Sequence, residues 1–146
     1  MSTLTFIATF SLAISFAVSA EPTYPPDTTY TPQQAYEKLL SVHQFNFGGV
    51  GFSGATSEGE LAYRSIAAST NALALYSAAL TNANTDAGKL YALCGIQMLA
   101  PETFDAQAKL LRTSKAKITM MSGCIAYEVY VTNIVAAIAR GHHDHR

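Results

Sequence analysis

Residues 85–101 read TDAGKLYALCGIQMLAP, and the reading of this stretch decides the fold. Leu90, Tyr91, Cys94, Met98 and Leu99 recur at the three- and four-residue spacings that line one face of an α-helix. Thr85, or Asn84 before it, supplies a capping side chain, so a helix over 86–99 is expected. Pro101 ends that helix and opens another over 101–111, with Phe104, Ala108, Leu110 and Leu111 facing inward. Upstream, a helix from Ser69 or Thr70 passes through Leu73, Leu75, Tyr76 and Leu80 to the turn TNANT. The units 70–80, 86–99 and 101–111 read together as a short stack of helical hairpins.

Working outward, Thr31-Pro32-Gln33-Gln34 is a capping box with proline at the first helical position. It opens a helix from 32 to about 44 carrying Ala35, Tyr36, Leu39, Leu40 and His43. Ser57-Glu58-Gly59-Glu60 repeats the capping logic before Leu61, Ala62, Tyr63, Ile66 and Ala67. Between these helices runs FNFGGVGFSGAT, a glycine-rich loop over 45–56 whose Phe45, Phe47, Val50 and Phe52 suit folding back over the core. On the far side, residues 113–123 read TSKAKITMMSG and fit one short extended segment. Cys124 then leads into a last helix over 125–140, stopped by Gly141, with Tyr127, Tyr130, Val131, Ile134, Val135 and Ile138 as its stripe. The expected fold is mostly α: a single-domain bundle of five or six short helices over 31–141.

Before the domain, residues 4–20 read LTFIATFSLAISFAVSA without a charge and end in Val18-Ser19-Ala20, small residues suited to a signal-peptidase site. Residues 1–20 are therefore expected to be a signal peptide cut after Ala20, or an anchor if retained. Residues 21–30, EPTYPPDTTY, hold three prolines and make a flexible leader. The apolar stretch 118–139 contains Glu128, whose burial in a bilayer would be costly, so no stable transmembrane insertion of the mature chain is expected. In the whole chain of 146 residues, 13% are charged and 49% hydrophobic, which suits an exported globular protein. Nine Lys and Arg against ten Asp and Glu give a formal net charge of −1, with no global field to attract nucleic acid.

The strings FNFGGVGFSGATSEGELAYRSI, AGKLYALCGIQML and MMSGCI resemble a family of small, uncharacterised exported bacterial proteins that share an FGGxGxxG loop, a LYALCG helix and a later GCI. The resemblance spans about 45–125 and implies export and a cysteine pair, with no assigned activity.

Cys94 and Cys124 are the two cysteines of the chain, and an even count in an oxidising compartment argues for a disulfide. Such a bridge would stabilise the domain by roughly 3 to 4 kcal/mol in the chain-entropy model. Its rivals are two inert thiols, or a reactive thiol served by His43. Gly49-Val50-Gly51-Phe52-Ser53-Gly54 matches GxGxxG, but it follows a helix and lacks the acidic residue that a dinucleotide site needs. Ala55 stands where a phosphate-binding lysine would be, and it also denies Ser53 the second glycine of a nucleophile elbow. No cofactor is implied.

The tail 142–146 offers His142, His143 and His145 as weak metal ligands. Lys109, Arg112, Lys115 and Lys117 make a basic run able to face an acidic partner or headgroup. Phe47, Phe52, Ser53 and Tyr63 are the candidate binding residues, with Phe47 expected inside and Phe52 nearer the surface. These features describe a non-enzymatic accessory or interaction protein, periplasmic or secreted, that binds an envelope protein or small ligand. The alternatives are an unrecognised envelope hydrolase or thiol-dependent enzyme, which a pocket gathering His43, Glu58 and Glu60 would favour, and a periplasmic metal-binding protein.

Overall fold

The computed structural model describes residues 29–142. The expected signal peptide, most of the proline-rich leader, and His143 and His145 of the tail lie outside the described residues. Among the described residues there are six α-helices: α1 Pro32–Ser41, α2 Glu58–Ala67, α3 Ala72–Asn82, α4 Asp86–Leu99, α5 Phe104–Gln107 and α6 Val131–Ala139. Two antiparallel hairpins accompany them, β1 Gly49–Val50 with β2 Ala55–Thr56, and β3 Lys117–Ser122 with β4 Ile125–Tyr130. The mostly helical class is as expected. Among the described residues no helix is long and apolar enough to cross a membrane.

Helix α4 is the axis of the domain. Thr85 caps it by accepting from the Gly88 amide at 3.1 Å, and every residue from Ala87 to Ile96 except Lys89 is buried. Helices α1, α2, α3 and α6 all pack against it. Two glycines set how closely they approach. A methyl group at Gly88 would overlap the Leu39 carbonyl of α1, and one at Gly95 would overlap the Tyr76 ring of α3. The capping box at Thr31 forms as expected, although α1 stops at Ser41 because Val42 turns extended. The helix expected over 101–111 is broken into a 3-10 turn at Pro101–Thr103, the single turn of α5, and a second 3-10 turn at Leu111–Thr113.

Two further expectations need correction. The last helix does not begin at Ile125, because residues 125–130 form β4 and α6 starts at Val131. Gly123 takes a left-handed φ of +55°, which lets Gly123-Cys124 close a two-residue turn and folds IAYEVY back on KITMMS in the register Ser122↔Ile125. The extended segment thus gains a strand partner that satisfies its backbone groups. The cystine is also absent: Cys94 and Cys124 are both thiols. Cys94 points into the core from α4 and is fully buried, whereas Cys124 is exposed at the tip of the β3–β4 hairpin.

Candidate functional site

The glycine-rich loop is held to the domain by a buried polar hub. Tyr91, on α4, donates its hydroxyl proton to the Asn46 carbonyl at 2.6 Å and accepts from the Asn46 amide at 2.9 Å. Ser57, the cap of α2, places its hydroxyl 3.1 Å from the same carbonyl and 3.2 Å from the Tyr91 oxygen, while accepting from the Glu60 amide. Glu60 is 1% exposed. One of its oxygens accepts from the Gly48 amide at 2.8 Å and the other from Arg64 Nη2 at 2.5 Å. Burial pushes the Tyr91 hydroxyl well above the usual tyrosine range, so it remains a neutral donor and cannot serve as an acid near neutral pH.

Aromatic rings fill the space beside this hub. Phe45 and Phe47 meet edge to face at 5.4 Å, and Phe47 rests on Tyr63 and Tyr91 at 5.3 Å each. Above them lies a groove of about 540 Å³, walled by Phe47, Met120, Tyr127 and Asn133 and reached by the backbone of Gly48 and Gly49 and by His142. Three separated segments therefore build it: the loop before β1, the β3–β4 hairpin and α6. The wall is mostly apolar, with the His142 imidazole and the Tyr127 phenol as its titratable side chains among the described residues.

The two edges of the β3–β4 hairpin are unequal. The outer edge of β3 is covered by the loop: Asn46 Oδ1 accepts from the Met121 amide, Gln44 bridges Thr119, and the Gly51 amide donates to the Gly123 carbonyl at 2.8 Å. For β4, the two-residue turn makes Ser122 and Ile125 a hydrogen-bonded pair, and the alternation continues through Tyr127 and Val129. The backbone groups of Ala126 and Glu128 and the Tyr130 amide consequently face outward. Among the described residues, no backbone hydrogen bond reaches them. Ile125, Tyr127 and Tyr130 are large and exposed along this strand, and Phe52 stands fully exposed at the tip of β1–β2.

The expected site residues divide accordingly. Phe47 is half-buried and lines the groove, and Phe52 is exposed with Ser53 beside it. Tyr63 is only 3% exposed, so it supports Phe47 from beneath and offers a ligand no surface. His43, Glu58 and Glu60 are not gathered. Glu60 is committed to Arg64 and Gly48, Glu58 is exposed and pairs with Lys38 at 3.2 Å, and His43 is exposed beyond α1. No group of three metal-ligating side chains occurs among the described residues. In the basic run, Arg112 pairs with Asp105 and Lys117 with Glu128, while Lys109 and Lys115 are exposed.

Asn46, Met120, Tyr127 and the edge of β4 were not signalled as site features. The one usable hint was Asn46 itself, a polar residue set between two phenylalanines in FNF, where a hydrogen-bonding duty is the natural reading. Comparison with protein-family models, with curated proteins and with solved structures returns no match to this chain.

Proposed function

We propose that this chain is an exported, non-enzymatic recognition protein that captures an extended segment of a partner polypeptide along β4. The observation that carries this reading is the inequality of the hairpin edges: the protein spends a loop on shielding β3 and leaves β4 open. An open edge of six residues is a template for strand addition, in which main-chain hydrogen bonds give affinity and alternate side chains give specificity. A segment paired with Ala126 and Glu128 places every second side chain on the groove side, beside Tyr127. The apolar wall selects for apolar side chains there. Phe52 and Ile125, on the two hairpin tips that Gly51 and Gly123 tie together, extend the contact surface. The hub beneath supports the loop without offering a reactive group, which favours binding over catalysis.

Hydrogen exchange with the partner recovered by affinity capture from the native envelope tests this. Exchange at Ala126, Glu128 and Tyr130 slows on binding, and Glu128→Pro, which removes an outward amide not used by β3, abolishes capture while the helices survive. Slowing confined to residues 51–54 would move recognition to the Phe52 tip, and unchanged exchange along both hairpins would refute strand addition.

A further inference from the structure

Away from the groove, residues 109–115 and the end of α6 carry features that the peptide-capture reading does not use. Leu110, expected to face inward, is instead 84% exposed, between Lys109 on one side and the turn that carries Arg112 on the other. Two residues on, Arg112 joins Arg140 in walling a cleft of about 410 Å³ whose floor is Val135, Ala136 and Ala139 and whose rim holds the Thr132 hydroxyl. Arg112 is set in place by its ion pair with Asp105 and by the Phe104 ring, 5.8 Å from its guanidinium carbon. Lys115, just before β3, is exposed in the same segment. Lys109, Arg112, Lys115 and Arg140 make four cations, against Glu102 and Asp105 as the carboxylates of the preceding turn. The surplus is positive although the chain as a whole is not.

We infer that this face docks on an anionic lipid bilayer. Leu110 enters the interfacial layer, Lys109 and Lys115 lie at the level of the phosphates, and Arg112 and Arg140 receive one headgroup phosphate in their cleft. Guanidinium groups suit that role because their planar donors match phosphate oxygens. A bilayer fits better than an acidic protein because a lone projecting leucine needs no complementary pocket to be buried in lipid, whereas a protein partner would have to supply one. Each cation near an anionic leaflet strengthens partition about fivefold, and the attraction falls away as salt shortens the Debye length from about 10 Å to about 3 Å.

The test is co-sedimentation of the full chain with vesicles of pure phosphatidylcholine and with vesicles rich in phosphatidylglycerol. Any share of binding from the uncharged residues 4–20 is common to both vesicle types, so the ratio between the two isolates the charge-dependent share, and the replacements below assign it to this face. The native chain prefers the anionic vesicles at low salt and loses the preference at high salt. Lys109→Ala with Lys115→Ala lowers the preference roughly 25-fold, and Leu110→Ser lowers binding to the anionic vesicles, with circular dichroism unchanged because all three side chains are exposed. Equal partition of the native chain, or a preference that survives the lysine replacements, overturns the inference. So does tight binding of free glycerol phosphate together with indifference to Leu110→Ser, which would make the cleft a small-anion site.

Discussion

Tyr91 shows how one hydroxyl can fix the position of a loop. Its oxygen meets both backbone groups of Asn46 and the Ser57 side chain, so deleting it leaves the buried Asn46 amide without its partner and the Asn46 carbonyl with Ser57 alone, while the ring still packs on Phe45 and Phe47. Tyr91→Phe should therefore cost about 2 kcal/mol in chemical denaturation, within the range for unsatisfied buried groups. A cost below about 0.5 kcal/mol would mean that the hub does not hold the loop. The same residue sets a pH dependence. Because burial raises its pKa in the folded state, an unfolded chain releases this proton near pH 10 while the folded chain keeps it, so the unfolded state binds fewer protons there and stability falls as pH rises past 10. In Tyr91→Phe that alkaline loss should be shallower. Parallel slopes in the two proteins would assign the loss to other groups.

Among the elements, α4 was legible and β4 was not, for reasons visible in their residues. Thr85 at the cap, the periodic Leu90, Tyr91 and Cys94, and Pro101 beyond the end are local signals, and the helix falls on the expected 86–99. In IAYEVY, Tyr127 and Tyr130 continue the spacing of Val131 and Ile134, so a helix explains them as well as a strand does. The decision lies in β3, whose backbone requires a partner, and in Gly123, whose φ of +55° allows the tight turn. Gly123→Ala should accordingly cost about 1 to 2 kcal/mol by thermal melting, the penalty for an L side chain in the left-handed region. No change in the midpoint would show that the turn relaxes freely. The hairpin also explains why the cysteine count misled: it carries Cys124 outward while α4 keeps Cys94 inside. A thiol reagent should label Cys124 alone in native protein and both cysteines after denaturation. Absence of labelling in denaturant would restore the bridge.

Across the whole molecule, stability and recognition occupy different places. The buried interior centres on α4, whereas the groove takes its walls from residues 45–49, 120–129 and 133–142, segments that only the tertiary fold brings together. Local patterns could mark Phe47 and Phe52 as binding candidates, but they could not supply Met120, Tyr127 or the unequal edges, since each depends on a neighbour remote in sequence. The two phenylalanines, five residues apart in one loop, test this division. Phe47 packs on Tyr63 and Tyr91 and also lines the groove, so Phe47→Ala should cost about 3 kcal/mol, the lower end of the range for core phenylalanines because its ring is half-exposed. Phe52 is fully exposed, and Phe52→Ala should leave stability within about 0.5 kcal/mol of native. Capture of the partner should weaken in both variants, in the first because the groove loses its wall and in the second because the tip loses a contact. If Phe52→Ala destabilises the protein as much as Phe47→Ala, the tip is covered in solution and the division fails. If Phe52→Ala leaves both stability and capture untouched, the tip has no part in recognition, and the groove with the open edge of β4 must account for binding alone.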